Sequence, residues 1–314
     1  MKLPHSLKRK AFTMLELIFV IVIMGIIGKF GVEFLAQSYQ SFISSSVNNR
    51  LQSNSATAVE FVSSRLQYRI KPSTIAREDN ASYTLLSEYY NTTANVLEWI
   101  GTDIEGFRGD ALPHWSGVID LNTTVTNAAN LRSPGTNTGN LDTMINILSN
   151  GDAGVNDAAI YFVNPDAIIT AEDWGWDANA SKFDTQADVQ IHPINSTATV
   201  TDFIPVTWSS GAAVVNNFTG VDASEYYQLA WSAYAVGIND WNVTSGTGTL
   251  TMWYNYQPWK GERYDLDANS TVIMEGVSSF RFISSDSVVK IQVCVKSDLL
   301  ADEEYSVCKE KTVF

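Results

Sequence analysis

Cysteine, histidine and basic residues are all scarce in this 314-residue chain. Two cysteines are too few for a disulfide scaffold or a four-thiolate zinc site. The three histidines, His5, His114 and His192, lie far apart and form no metal-ligand pattern. With 20 basic against 34 acidic residues, a net charge of −14 argues against a broad basic face for a nucleic-acid backbone. The chain also lacks a phosphate-binding glycine loop, a G-x-S-x-G elbow and an H-E-x-x-H pair, so no motif marks it as an enzyme. Carboxylate pairs for glycoside hydrolysis are spatial rather than sequential, which leaves a membrane-anchored hydrolase as a reading without positive support. RGD at 108–110 is a three-letter match of the kind expected by chance, and no internal repeat is visible. The hydrophobic share of 45% is that of a folded chain of one or two domains.

What the sequence does have is an asymmetric start. Residues 1–11, MKLPHSLKRKA, carry Lys2, Lys8, Arg9 and Lys10 and no acid; the remainder then holds 16 basic and 34 acidic residues, a charge of −18. FTMLELIFVIVIMGIIG (12–28) follows, apolar apart from Thr13 and Glu16, and Phe30, Val32, Phe34 and Leu35 prolong it past Lys29 and Glu33. A hydrocarbon core about 30 Å thick needs roughly 20 helical residues, which Phe12 to Val32 supply. The basic block then stays cytoplasmic and the rest of the chain lies outside. A removed secretory signal is the alternative, but it calls for a small-residue cleavage site after the apolar run, where this chain continues as GKFGVEFLAQSYQ.

Glu16 stands out. A carboxylate one turn into a membrane helix costs about 2.5 kcal/mol or more. Either it reaches back to water at the interface, or it meets a positive partner. Cleavage between Ala11 and Phe12 would create one, the α-amino group of Phe12, with its own Glu16 a helical turn away and a neighbouring subunit's Glu16 within reach of an axial shift.

The string KRKAFTMLELIFVIVIMGI resembles the class III signal of type IV prepilins and type II secretion pseudopilins, over about 35 residues. The resemblance implies that a membrane prepilin peptidase/methyltransferase removes residues 1–11, cutting between Ala11 and Phe12 and N-methylating Phe12. It implies that Glu16 serves assembly with other pilins or pseudopilins, on a filament rooted in a bacterial inner membrane. The protein is then single-pass, with its N-terminus cytoplasmic before processing and its head periplasmic or outside. Ala11 departs from the glycine usual in the family, which would slow processing rather than abolish it. MEGVSSFRFISSDSVVKIQVCVK is also similar to the head of J-type minor pseudopilins and their pilus counterparts. With a head of about 240 residues, large for a subunit repeated along a fibre, this favours a minor, tip-proximal subunit over a major one.

The expected fold class is α+β, with a long N-terminal helix packed on an antiparallel sheet: residues 12–34 form the membrane or filament-core half, 35–71 the amphipathic half and 72–314 the head. Leu35, Tyr39, Phe42 or Ile43, Val47, Leu51, Ala58, Val62 and Leu66 recur at helical spacing, with Ser55 alone in that register polar. Pro72 sets the expected stop, near Ile70. Gly25, Gly28 and Gly31 are positioned to soften the first half. Residues 121–157, dense in Asn, Thr and Gly, read as a long surface loop with a helix around Leu141–Leu148. AAIYFV (158–163), DFIPVTW (202–208), YYQLAWSAYAVGI (226–238), TLTMWYNY (249–256) and a hairpin turning near Ser284–Ser287 read as strands of a sheet with one buried face. In the last strand Val289, Ile291, Val293 and Val295 alternate with Lys290, Gln292, Cys294 and Lys296.

Three head features remain. Cys294 and Cys308, if paired in an oxidising compartment, close a loop of about 15 residues worth roughly 3 kcal/mol; type IV pilins carry a comparable clasp, and two free thiols are the alternative. Asp265, Asp267 and Asn269 alternate as in a calcium loop, but Ser270 and Gly276 stand where an EF-hand needs Gly and Glu, so the expectation is no cofactor, with a looser calcium loop the weak candidate. Trp174 and Trp176, among Asp166, Glu172, Asp173, Asp177 and Asp184, would suit a glycan-binding head displayed on the filament if exposed; otherwise they anchor their loop.

Overall fold

The computed structural model describes residues 13–78, 82–163, 169–176, 183, 186–187, 189–209, 212–215, 218–221, 223–285, 287–297 and 305–314. The leader, Ala11, Phe12, Asp166, Asp177 and Asp184 lie outside them. The chain separates into two units, residues 1–50 and 51–314.

Helix α1, Met14–Leu66, is a single α-helix of 53 residues. Its first unit is helical through Gly25, Gly28 and Gly31, so the three glycines do not break it. In the second unit α1 runs on from Leu51 and buries Ser55, Ala58, Val59, Val62, Ser63 and Leu66. The two serines satisfy their hydroxyls within the helix, Ser55 on the carbonyl of Gln52 (3.1 Å) and Ser63 on that of Glu60 (3.0 Å). They therefore cost no unpaired polar atom in an apolar interface. The helix ends at Leu66, earlier than the Ile70 expected from Pro72. Pairing explains the difference: Ile70 N–H donates to Ile100 O (2.9 Å) and Thr102 N–H to Tyr68 O (2.8 Å), so residues 68–70 already pair with residues 100–102.

The strands are β1 (Ile75–Arg77), β2 (Tyr83–Leu85), β3 (Val96–Gly101), β4 (Leu131–Arg132), β5 (Ala159–Phe162), β6 (Ile191–Ser196), β7 (Asp202–Ser209), β8 (Ala212–Val215), β9 (Tyr227–Ala230), β10 (Ser232–Asn242), β11 (Thr247–Tyr256), β12 (Asn269–Ser285), β13 (Val288–Ser297) and β14 (Tyr305–Val313). Two further helices, α2 (Ile104–Arg108) and α3 (Thr138–Leu148), lie between β3 and β5. The α+β architecture is as expected: a helix packed on an antiparallel sheet of eight strands ordered β14-β13-β12-β11-β10-β3-β1-β2. A second sheet, β4-β7-β6-β5-β9 with β8 on β7, was not foreseen.

The large sheet corrects the expectation of one buried face. On the helix side Ala58, Val62 and Leu66 meet Leu97, Trp99, Val236, Leu250, Val277 and Val293. On the other side Ile75, Val96, Ile100, Ala233, Ala235, Tyr256 and Trp259 form a second core. All six residues of β3 are consequently buried. A strand covered on both faces has no polar side to alternate with, which is why β10, over 232–238, shows mixed rather than polar partners. Strand β13 keeps the expected alternation of Val289, Ile291, Val293 and Val295 with Lys290, Gln292 and Lys296, but Cys294, expected on the outward face, is buried as well.

The reading of 121–157 as surface loop also needs correction. Leu131, Ser133, Thr136, Leu141 and Ile145 are buried against the second sheet. The Arg132 guanidinium clasps Asp202 (2.9 and 3.1 Å), and Ser133 Oγ, Thr136 Oγ1 and Tyr227 Oη form a hydroxyl cluster (2.7–3.4 Å). Polar composition there supplies a hydrogen-bonded core corner.

Strand β12 is shared: its first half pairs with β11 and its second with β13. Gly276 sits at the handover with φ +71, a conformation open to glycine at little cost. The hairpin falls where expected, with Ser285 opposite Val288.

Candidate functional site

The apolar helix begins with a local device. Thr13 Oγ1 accepts from Glu16 N–H (3.3 Å), while Glu16 Oε2 accepts from Thr13 N–H and Thr13 Oγ1 (3.1 Å each). This is a reciprocal capping box, Thr-x-x-Glu, satisfying backbone donors that a helix start leaves without partners. The pattern was readable in the sequence and gives Glu16 a structural role beside the assembly role that the resemblance implies.

After Glu16 the helix is apolar around its whole circumference. An 18-residue window reaches a mean hydropathy of 2.3, and none of it is buried. The large apolar side chains from Met14 to Leu35 are 40–82% exposed. A helix apolar on all sides needs a nonpolar surround, and this one is long and apolar enough to cross a membrane. Lys29 and Glu33 face each other one turn apart at 4.0 Å, both exposed.

The cysteines are joined: Cys294 and Cys308 form a disulfide with Cα atoms 4.0 Å apart. They are direct register partners on β13 and β14, so the bond crosses between adjacent strands. The returning segment reaches Cys294 by adding an edge strand to the sheet.

The calcium candidates are each engaged by other protein groups. Asp265 is engaged by Arg263 through both carboxylate oxygens (3.0 and 2.6 Å), Asp267 accepts from Arg263 N–H (2.8 Å), and Asn269 donates to Asp152 (3.4 Å). Among the described residues no three His, Cys, Asp or Glu side chains gather as metal ligands.

Trp174 and Trp176 are buried, so neither offers a ring to a sugar. Trp176 Nε1 donates to Ser73 O (2.9 Å), and Trp174 packs on Tyr161 with ring centres 5.2 Å apart. Gly175 between them has φ +87, and a Cβ there would lie 2.5 Å from the backbone of Pro258, so this turn admits little but glycine. The pair anchors its loop.

Burial perturbs several titratable groups that periodicity could not flag. Glu98 is held by Arg77 and accepts from Tyr256 Oη (2.9 Å) in the second core; burial raises its proton affinity against the pull of Arg77. Asp103 caps α2 by accepting from Gly106 N–H (3.1 Å) and also accepts from Trp115 Nε1 (3.1 Å); burial raises its pKa to about 6. His192, bonded through Nδ1 to Gln186 Oε1 (2.8 Å) and flanked by Phe162 and Phe218, is pushed down to about 3 by burial. These are core groups placed by topology rather than members of one cleft.

No family model, curated protein or solved structure matches this chain.

Proposed function

We propose that this protein is a structural subunit of a membrane-rooted filament, a minor pilin or pseudopilin of a type IV pilus or type II secretion pseudopilus. In this reading the leader is removed between Ala11 and Phe12, Phe12 is N-methylated, and the new amine answers Glu16 of its own or a neighbouring helix. The observation carrying the reading is the helix from Met14 to Leu35, whose large apolar side chains are exposed on every side and which joins a folded, disulfide-clasped head. Such a surface suits first the bilayer, before assembly, and then the packed helices of a filament core. The chain would sit in the inner membrane with its head on the periplasmic side. The Trp174–Trp176 loop lends nothing to a glycan-binding alternative, because both rings are buried.

Co-expression with a prepilin peptidase tests the proposal. Intact-mass measurement should show loss of residues 1–11 and a methyl group on Phe12. An unprocessed chain in assembled filaments of the native host overturns it.

A further inference from the structure

Behind the end of α1 the head has a half-open cavity of ≈ 280 Å³, lined by Arg69, Lys71, Ser87, Ser287 and the buried apolar side chains Leu86 and Val289, among others. Arg69 is only 4% exposed. Its Nη1 donates to Leu66 O (2.9 Å) and its Nη2 to Ser287 O (2.7 Å), while its Nε is buried without an acceptor. Both partners are neutral carbonyls, and among the described residues no carboxylate pairs with Arg69 or Lys71 or lines the cavity. That is unusual in a chain carrying 34 acids against 20 bases. An arginine remains charged in proteins, and a buried charge is retained at low cost only when an opposite charge meets it. Burial accordingly lowers the proton affinity of Arg69.

We infer that this cavity is a binding site for a phosphate-class oxyanion. The arrangement favours a tetrahedral anion over a planar carboxylate. Two of the five guanidinium N–H groups of Arg69 are already tied to carbonyls, which leaves the fork only partly free. The remaining donors, the Lys71 ammonium and the Ser87 and Ser287 hydroxyls, come from separate segments, which suits an acceptor with oxygens in several directions. Arg69, fixed by the last turn of α1 and the β12–β13 turn, supplies the field. Exposed Lys71 and Ser87 supply contacts that form with the ligand. The same group could arrive as free phosphate or as a phosphomonoester of a lipid headgroup.

The test is isothermal titration of the full chain in detergent with inorganic phosphate, sn-glycerol 3-phosphate and acetate. Saturable binding of either phosphate, with acetate much weaker, is the expected result; the stronger of the two identifies the source. Lys71→Ala should weaken phosphate binding about tenfold, and Ser87→Ala should weaken it less. Both side chains lie at the surface, so these variants fold even if Arg69→Gln does not. No phosphate binding by the unmodified chain, or unchanged affinity in Lys71→Ala, overturns the assignment.

Discussion

Glu16 carries two roles that substitution can separate. Its carboxylate accepts from Thr13 at 3.1 Å to close a capping box, and in the proposed filament it also neutralises the amine of Phe12. A lost cap costs about 1 kcal/mol, roughly fivefold in the local equilibrium. A charge left without its partner in a low-dielectric surround costs about 3–5 kcal/mol, a factor above a hundred. Glu16→Gln keeps an oxygen able to accept from Thr13, since Gln serves a capping box as Glu does, but removes the charge. Thr13→Ala keeps the charge and removes the hydroxyl. The charge-pairing mechanism therefore predicts that Glu16→Gln abolishes incorporation into filaments, that Thr13→Ala lowers it only several-fold, and that both accumulate as processed subunits in the membrane. Quantitative immunoblotting of sheared filaments against the membrane pool provides the assay. If Glu16→Gln assembles as well as the unmodified chain, the carboxylate acts only as a cap and the mechanism is wrong.

Three further outcomes are expected. Reducing the Cys294–Cys308 bond, or replacing both residues by Ser, should lower the denaturant midpoint of the detergent-solubilised chain by an amount equivalent to about 3 kcal/mol; an unchanged midpoint would show the clasp to be energetically idle. The two perturbed core groups act in opposite senses on stability against pH. His192 has a depressed folded-state pKa of about 3, so its contribution is complete above pH 6.5 and lost as pH falls, by about 2 kcal/mol at pH 5. Asp103 has a raised pKa of about 6, so its contribution is complete below pH 3.8 and lost as pH rises through 6, by about 3 kcal/mol at pH 7. His192→Gln should therefore flatten the acid side of a stability–pH curve and Asp103→Asn the near-neutral side; parallel curves for both variants would refute the assigned directions. Trp174→Ala should destabilise the head by about 3–5 kcal/mol, seen as a lower thermal midpoint; a stable variant would contradict its burial.

The parts of this fold legible in the sequence were those whose pattern one local rule controls. The α1 register predicted that Ala58, Val62 and Leu66 would face inward, and β13 alternated because only one of its faces meets the core. The β12–β13 turn and the pairing of Cys294 with Cys308 also follow from segments close in the chain. What escaped was set by distant segments. Nothing local to Val96–Gly101 reveals that α1 covers one face and Trp174, Trp176 and Trp259 the other. Leu131 and Ser133 look like loop residues until β7 and Tyr227 close over them. Arg69 likewise gained meaning only when the β12–β13 turn, more than 200 residues later, delivered the carbonyl of Ser287 to its guanidinium. Thr13 and Glu16 are the opposite case, since their spacing announced a cap that attention to the charge alone passed over.

The covalent link between facing positions of β13 and β14 has a practical corollary for handling the protein. Endoproteolysis anywhere between Ser297 and Tyr305 releases nothing, because the segment carrying Tyr305–Val313 stays tethered through Cys308 and remains laddered to its neighbour by backbone hydrogen bonds. Nicked and intact molecules would co-migrate on an electrophoresis gel run without thiol and differ by that short fragment once thiol is added.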